Sequence, residues 1–207
     1  MKSFFVVVLI ILGCLVLGGA AFVLSGIYNV AADVPHWRGT FLLLEAVRER
    51  SIAFHSEGIK GPTLNNEGLV TQGFAHFHDT CRLCHGAPGY EREEFAEGLY
   101  PKPPFLGSQE VQRENEDREL YWVVKNGLKM TGMPSFGKTH TEEQLWGMVA
   151  FLRRLPSLDP QAYRHMVETL SQGAEGSTHH PERETKPRDE AEGGKMREDL
   201  LAGKSSG

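Results

Sequence analysis

The stretch NEGLVTQGFAHFHDTCRLCH, residues 66–85, decides the fold of this 207-residue chain. Its apolar residues recur at the spacing of one helical face, at Leu69, Val70, Phe74 and Phe77. Asn66 stands where a helix N-cap belongs. The pattern predicts an amphipathic helix that begins after Asn66 and ends near the two cysteines.

The same stretch ends in Cys81-Arg82-Leu83-Cys84-His85, which is the C-x-x-C-H pattern of covalent haem attachment. Two thiols three positions apart project from one turn of the chain, so each can form a thioether with a vinyl group of the same porphyrin. The next residue then offers an imidazole nitrogen to the iron. The motif predicts one covalently attached haem c, held by Cys81 and Cys84, with His85 as an iron ligand.

Three other interpretations of the cysteine pair compete with haem. A redox-active dithiol has a depressed thiolate pKa, but it belongs in a βαβ context that the sequence lacks. A zinc site would add histidines such as His78 and His85, yet structural zinc usually draws two ligand pairs from separate segments. A disulfide between Cys81 and Cys84 would close a loop too short to gain much chain entropy. Haem attachment is therefore favoured.

The chain after the motif alternates between loops and helices. Residues 86–107 are rich in proline and glycine and predict a loop, while Glu114 to Asn126 predicts one helix. NGLKMTGMPSFGKTH, residues 126–140, predicts an irregular loop. A final strong helix is expected from Thr141, capped by a T-x-x-Q box, and Asp159-Pro160 predicts a short helix through Leu170. The buried face of the strong helix is predicted to comprise Leu145, Met148, Val149, Leu152 and Leu155.

The chain begins with an apolar segment. Phe4 to Gly26 carries no charge, and a helix of that length rises about 34 Å, enough to span a bilayer. A cleaved signal peptide is the competing interpretation, although its apolar region is usually shorter; lipidation at Cys14 is a third. Lys2 before the segment, with Tyr28 and Trp37 after it, favours a retained single-pass anchor in a bacterial inner membrane, with the rest of the chain in the periplasm.

Between the anchor and residue 66 the sequence predicts a flexible linker near Ile27 to Pro35 and an amphipathic helix from Trp37 to His55. This helix lies on the bilayer or packs on the following domain, and the sequence does not decide between the two. Residues 171–207 hold few large apolar groups and predict a disordered tail. The length excludes a large multidomain enzyme, and a net charge of −5 gives no support to nucleic-acid binding.

The residues around the motif resemble the class I monohaem c-type cytochromes, and in particular small bacterial membrane-anchored members. The likeness rests on Gly73 and Phe77 before the first cysteine, on the motif itself, and on the segment GMVAFLRRL at residues 147–155. It implies an all-α class I cytochrome c fold in which two helices cross closely. Gly73 would allow the close approach and Phe77 would pack on Phe151.

The resemblance also bears on the remaining iron ligand. The dipeptide Met133-Pro134 matches the family pattern, so Met133 is expected to be the distal ligand, with Met130 as the alternative. Methionine sulfur favours ferrous iron and raises the reduction potential. Three histidines are rivals for the same position: His76, His78 and His140. The resemblance further implies that a carbonyl of Pro103 or Pro104 accepts a hydrogen bond from His85.

Together these features predict a membrane-tethered periplasmic electron carrier, free or as a subunit of a respiratory or dehydrogenase complex, and not an enzyme in its own right. The expected donor is a dehydrogenase or quinol-oxidising complex and the expected acceptor an oxidase or reductase. A haem-based gas or peroxide sensor or enzyme with a labile methionine ligand is the alternative, and a periplasmic thiol-disulfide protein is a third hypothesis. The predicted divisions are an anchor (1–26), a linker with amphipathic helix (27–65), a cytochrome domain (66–158), a short helix (159–170) and a tail (171–207).

Overall fold

A computed structural model of the chain describes residues 1–176, and it describes their side chains through residue 172. This part of the chain is helical and contains no strand, only an isolated bridge between Ala87 and Tyr90. The helices are α1 (Lys2–Ser25), α2 (Arg38–Ser56), α3 (Glu67–His76), α4 (Arg82–His85), α5 (Glu94–Glu97), α6 (Gln109–Glu114), α7 (Asp117–Asn126), α8 (Glu142–Arg154) and α9 (Pro160–Gly176). A π-helical turn, Phe77–Cys81, joins α3 to α4, and a 3₁₀ turn, Leu155–Ser157, follows α8.

Helix α1 has 24 residues, none of them buried, and is long and apolar enough to cross a membrane. By length and composition alone a signal sequence passes the same test. The end of α1 contacts the linker that follows it, because the Phe22 ring lies 6.4 Å from that of Tyr28 and 6.3 Å from that of Trp37.

The core of the molecule is the crossing of α3 and α8. A Cβ atom on Gly73 would clash with the backbone carbonyl of Gly147, so two glycines let the helix backbones touch. Phe74 and Phe77 pack on Phe151 beside the crossing, with ring centroids 5.3 and 5.0 Å from it. The close approach at Gly73 and the contact between Phe77 and Phe151 confirm the two predictions made for this crossing.

Local capping explains where α3 and α8 begin. The side chain of Asn66 accepts hydrogen bonds from the backbone N–H groups of Gly68 and Leu69, as predicted. Thr141 and Gln144 form a reciprocal capping box at the start of α8. The predicted inner face is buried throughout, at Leu145, Met148, Val149 and Leu152 of α8 and at Leu155 of the 3₁₀ turn that follows.

The helix predicted from Glu114 to Asn126 is present as α7, but it begins at Asp117 rather than at Glu114. The chain breaks at Asn115 and Glu116 into α6 and α7, because Glu116 forms a capping box with Glu119 and so starts a new helix. Arg153 fixes this junction from α8. Its guanidinium donates to the Asn115 carbonyl at 2.6 Å and to the Asp117 carboxylate at 2.6 Å.

Helix α9 starts as predicted, since the Asp159 carboxylate accepts hydrogen bonds from the N–H groups of Gln161 and Ala162. It is helical through Gly176, the last residue described, and not only to Leu170, so the predicted start of the disordered tail at Ser171 is corrected. Each further helical residue adds a hydrogen bond once the helix exists, and most residues that follow Leu170 are compatible with helix. The rest of the predicted tail, residues 177–207, lies outside the described residues.

Residues Met1–Leu170 form the first compact unit of the chain. Within this unit, α2 packs on α7, where the rings of His55 and Trp122 stack 5.7 Å apart. The linker before α2 is also tied down: the Tyr28 hydroxyl lies 2.6 Å from Nδ1 of His36, and the His36 N–H donates to the Tyr100 hydroxyl. These contacts therefore hold in place a segment that the sequence predicted to be flexible.

Candidate functional site

The predicted attachment motif lies where α3 ends. The π-helical turn carries Cys81 at its last position, and the four-residue helix α4 carries Cys84 and His85. Both thiols are free and half-buried. Because the backbone stays helical from Cys81 to His85, the two cysteines and the histidine occupy positions i, i+3 and i+4 and so share one helical face. The local structure thus brings together the three residues that the motif singles out.

His85 is buried, with 8% of its surface exposed, and its ring is held in one orientation. Nδ1 lies 2.7 Å from the Pro104 carbonyl oxygen, to which it donates a hydrogen bond in the tautomer protonated there. This contact confirms that the acceptor lies in the Pro103–Pro104 segment, at Pro104. Burial lowers the pKa of the imidazole against the opposing effect of the Pro104 bond. The neutral ring therefore keeps Nε2 as a free metal ligand.

The loop that supplies Pro104 folds back beneath α4. Gly86 starts the return at a φ of +70°, and a Cβ atom there would lie 3.3 Å from the Tyr90 carbonyl. The N–H of Glu93 then donates to the Leu83 carbonyl at 2.9 Å. The predicted loop of residues 86–107 is mostly irregular, and its one helix is the four-residue α5. These backbone contacts bring Pro104 under the His85 ring.

The two thiols lack the electrostatics of a redox-active dithiol. Burial, and secondly the neighbouring Cys84, raises the pKa of Cys81 to about 12. Burial also raises the pKa of Cys84. A reactive dithiol needs a stabilised thiolate. The site also does not suit zinc, since residues 1–176 contain no group of three or more His, Cys, Asp or Glu side chains placed to hold a metal.

The predicted distal residues lie in the loop between α7 and α8. Met133 is half-buried, its N–H donates to the Thr131 hydroxyl at 3.1 Å, and its carbonyl accepts from the N–H of Leu128 at 3.2 Å. Met130 is 72% exposed and takes a left-handed backbone conformation with φ 61°. Of the two methionines, Met133 is therefore the one that the loop holds against the protein.

Backbone hydrogen bonds fasten this loop to the end of α7. The N–H groups of Phe136 and Gly137 donate to the carbonyls of Val124 and Lys125 at 3.2 and 2.8 Å. Gly127 is required at the turn, because its φ is +66° and a Cβ atom would lie 2.7 Å from the Met133 carbonyl. The loop is thereby closed back on the helix that precedes it.

The methionine loop also meets the loop that carries Pro104. A Cβ atom on Gly132 would lie 2.8 Å from the side chain of Leu99, so the two loops pack there without a side chain on one of them. One loop supports the imidazole and the other carries the methionine. Their contact brings the predicted proximal and distal segments into one region of the molecule.

The rival histidines have partners elsewhere. His78 Nδ1 lies 3.1 Å from the hydroxyl of Tyr163, which is fully buried. The His76 ring packs edge-on against His140 at 4.8 Å. The pKa of His76 and that of His78 are both lowered, in each case mainly by burial. Tyr163 was not predicted from the sequence as part of the site. It is the first residue of an apolar stripe on α9 that continues through Met166, Val167 and Leu170, and this stripe is the signal that could have found it.

The donor set fits a haem group. It offers two thiols for thioethers, an imidazole with a fixed tautomer and a thioether sulfur, which together suit iron in a porphyrin. Phe95 and Phe105 on the Pro104 loop and Met130 on the methionine loop are exposed apolar side chains. Exposed apolar side chains on both of these loops are compatible with the hydrophobic ring of haem.

A comparison with protein families finds one match in this region. Residues 68–152 match the family model described as "Cytochrome C oxidase, cbb3-type, subunit III". Among curated proteins, none matches the chain. The matched range begins with α3 and reaches to the end of α8, and it contains both predicted ligand loops. The predicted all-α cytochrome c fold is confirmed, and residues 68–152 form a c-type cytochrome domain, whose chemistry is haem-based electron transfer.

Proposed function

We propose that the protein is a membrane-tethered electron-transfer cytochrome with one haem c bonded to Cys81 and Cys84. Its iron is ligated by His85 and Met133. The observation that carries the proposal is the His85 ring, which is buried beside two free thiols and held by the Pro104 carbonyl at 2.7 Å. An imidazole whose Nδ1 is hydrogen-bonded in this way presents Nε2 to a metal ion on the opposite side of the ring.

The haem supplies the Fe(III)/Fe(II) couple, and the residues of this chain control its surroundings. Cys81 and Cys84 fix the ring in place, and the Pro104 bond maintains the ligating tautomer of His85. Thr131 and Gly127 hold the segment of Met133 in a closed turn. Held by both His85 and Met133, the haem would supply a one-electron couple with little rearrangement of these residues and would have no coordination position left for oxygen.

The proposed setting is the bacterial inner membrane, with α1 retained as a single-pass anchor and the cytochrome domain in the periplasm. Support comes from the length of α1, which is sufficient to span a bilayer, and from Lys2 at its start. Tyr28 and Trp37 follow at interface positions. We propose that the chain is divided as predicted from its sequence: an anchor (1–26), a linker with a helix (27–65), a cytochrome domain (66–158), a helix that begins at residue 159, and a tail.

For partners, the description of the matched family favours a subunit of a respiratory oxidase complex over a free carrier. A dehydrogenase or quinol-oxidising complex is the proposed donor and an oxidase or reductase the acceptor. Purification of the full chain from its native membrane in mild detergent tests this point. A stoichiometric complex supports the subunit role, whereas a chain that purifies alone supports the carrier.

The electron-transfer proposal is tested by absorption spectra of the oxidised and reduced full chain, made in a host competent in cytochrome maturation. We expect a low-spin haem spectrum, retention of the pigment after acid–acetone extraction, and slow or absent carbon monoxide binding to the reduced protein. Extractable pigment would contradict covalent attachment. Rapid carbon monoxide binding at neutral pH would contradict the saturated carrier and favour a sensor or enzyme.

A further inference from the structure

Helix α2 has apolar side chains on two opposite faces. One face packs on the helical body: Ile52 and Ser56 are buried, Leu44 is half-buried, and His55 stacks on Trp122 of α7. On the other face, four large apolar side chains are each more than half exposed, so no other helix among residues 1–176 covers them. These side chains are Leu42, Leu43, Val47 and Phe54.

The exposed face has the composition of a helix that lies at a membrane surface. Ala46 and Ala53 are also exposed on it and add further apolar surface. Its central charged residue is Arg50, whose long side chain is able to reach lipid phosphate while its methylenes stay in apolar surroundings. Glu49 stands at the edge of the face, 3.9 Å from Arg48, which pairs more closely with Glu45 at 2.6 Å. Amphipathic helices that bind bilayers present such an apolar face with cationic flanks.

The position of α2 identifies what covers this face. Trp37, its N-cap, lies 6.3 Å from Phe22 in the last turn of α1 and 5.3 Å from Tyr28. Helix α2 therefore begins beside the end of the apolar helix, at the level where an anchor leaves the hydrocarbon. Aromatic residues favour this interfacial zone.

We propose that α2 lies in the membrane interface with its exposed apolar face in the lipid. The inference rests on the proposed anchoring by α1. It adds that the cytochrome domain is held in one orientation on the bilayer, because α2 is joined to α7 by the His55–Trp122 stack. The linker is joined to the Pro104 loop by the bond from His36 to Tyr100, at 3.1 Å.

The test places single spin labels on the full-length, haem-containing chain in vesicles of phosphatidylethanolamine and phosphatidylglycerol. Ala46→Cys reports on the exposed face of α2, and Ala162→Cys, an exposed alanine of α9, is the matched control. Both variants also carry Cys14→Ala. The wild-type chain, labelled at Cys14, reports on the anchor. Collisions with oxygen, which enters lipid, and with a water-soluble nickel complex measure the depth of each label.

We expect the ratio of oxygen to nickel accessibility to be several-fold higher at residue 46 than at residue 162. Equal ratios at the two positions would overturn the interfacial helix. If the label at Cys14 were still deep in that case, the anchor would stand and only this inference would fail. A label at residue 46 that is shielded from both reagents and shows dipolar coupling between chains would also overturn it, because the occupant would be a second copy.

The failure of haem attachment is visible separately. The Cys14→Ala chain takes up no label if Cys81 and Cys84 are both bonded to haem. Labelling of that chain would contradict the proposed function without bearing on the position of α2.

Discussion

The two sides of the proposed haem site are built differently. On the proximal side, His85 is buried and follows α3, whose crossing with α8 is closed by Gly73 and Gly147. On the distal side, Met133 is half-buried in an irregular loop and bonds only to residues of that loop. The loop is joined to the end of α7 through Phe136 and Gly137. Helix packing fixes the segment that leads to His85, whereas hydrogen bonds within a loop hold the segment of Met133.

This difference indicates that the distal side of the site is held in place by less free energy than the proximal side. A backbone hydrogen bond contributes about 1 kcal/mol net, whereas a packed helix crossing adds the burial of several large side chains. Disturbing the proximal side should therefore unfold the domain. A change on the distal side should release the ligand and leave the helices in place.

The largest effect is expected from Gly73→Ala. The added methyl group meets the Gly147 carbonyl, a backbone atom that cannot move away without separating α3 from α8. We expect the free energy of unfolding to fall by about 3 kcal/mol or more, the upper end for overpacking. Denaturant titration of the full chain in detergent measures it.

The matched control is Gly39→Ala in α2, where an added Cβ atom has no neighbour within 4 Å. It should be neutral or stabilise by up to about 1 kcal/mol. Equal stability of the Gly73→Ala variant and the wild type would contradict the crossing.

The next largest effect is expected from a change of the proposed distal ligand. Met133→Ala should abolish the red charge-transfer band of methionine-ligated ferric haem and lower the reduction potential, because a soft sulfur ligand is lost. Met130→Ala is the matched control and should keep both properties, since Met130 is 72% exposed. Absorption spectroscopy and redox titration measure the outcome. Loss of the band in the Met130 variant alone would reverse the ligand assignment.

A smaller effect is expected from Gly127→Ala, the distal counterpart of Gly73→Ala. Its φ of +66° with a ψ of −173° is a conformation that essentially only glycine adopts, and this alone strains the turn by about 1–3 kcal/mol. The new methyl group would also crowd the backbone carbonyls of Met133 and Pro134. The red band should weaken while the helical circular dichroism stays unchanged. Gly98→Ala, where the added Cβ atom would lie 3.6 Å from the nearest carbonyl, should leave the band intact. Collapse of the helices in the Gly127 variant would show that the two sides are not independent.

The smallest effect concerns docking at the rim of the distal loop. Lys129 and Lys138 are exposed there, whereas Lys125 is paired with Glu142 at 3.2 Å. Reversing the charges of Lys129 and Lys138 to Glu should slow electron transfer with an acidic partner more at low salt than at high salt. Stopped-flow kinetics at two ionic strengths, with Lys60→Glu as the control, measure this. Equal slowing at both ionic strengths would rule out a docking role for these lysines.

The predictable part of the fold was the part coded by local pattern. The caps at Asn66 and Thr141 and the buried face of α8 follow from residues within a few positions of one another. The motif and its resemblance to cytochromes located the helix crossing at Gly73 and the acceptor for His85.

The remainder depends on contacts between distant segments. The bond from His36 to Tyr100 joins residues 64 positions apart, and Gly132 meets Leu99 through loops without periodicity. The π-helical turn has no local sequence signature. The break between α6 and α7 depends on whether Glu116 continues the first helix or caps the second. The fate of the outer face of α2 was also undecided, because an apolar stripe does not state what covers it.

The intact mass of the matured full-length chain tests the central claim most directly. We predict the mass of the polypeptide plus one haem, and the polypeptide mass alone after both Cys81 and Cys84 are changed to Ala. A wild-type chain with no added haem mass, when it is made in a host that matures other c-type cytochromes, would contradict the account.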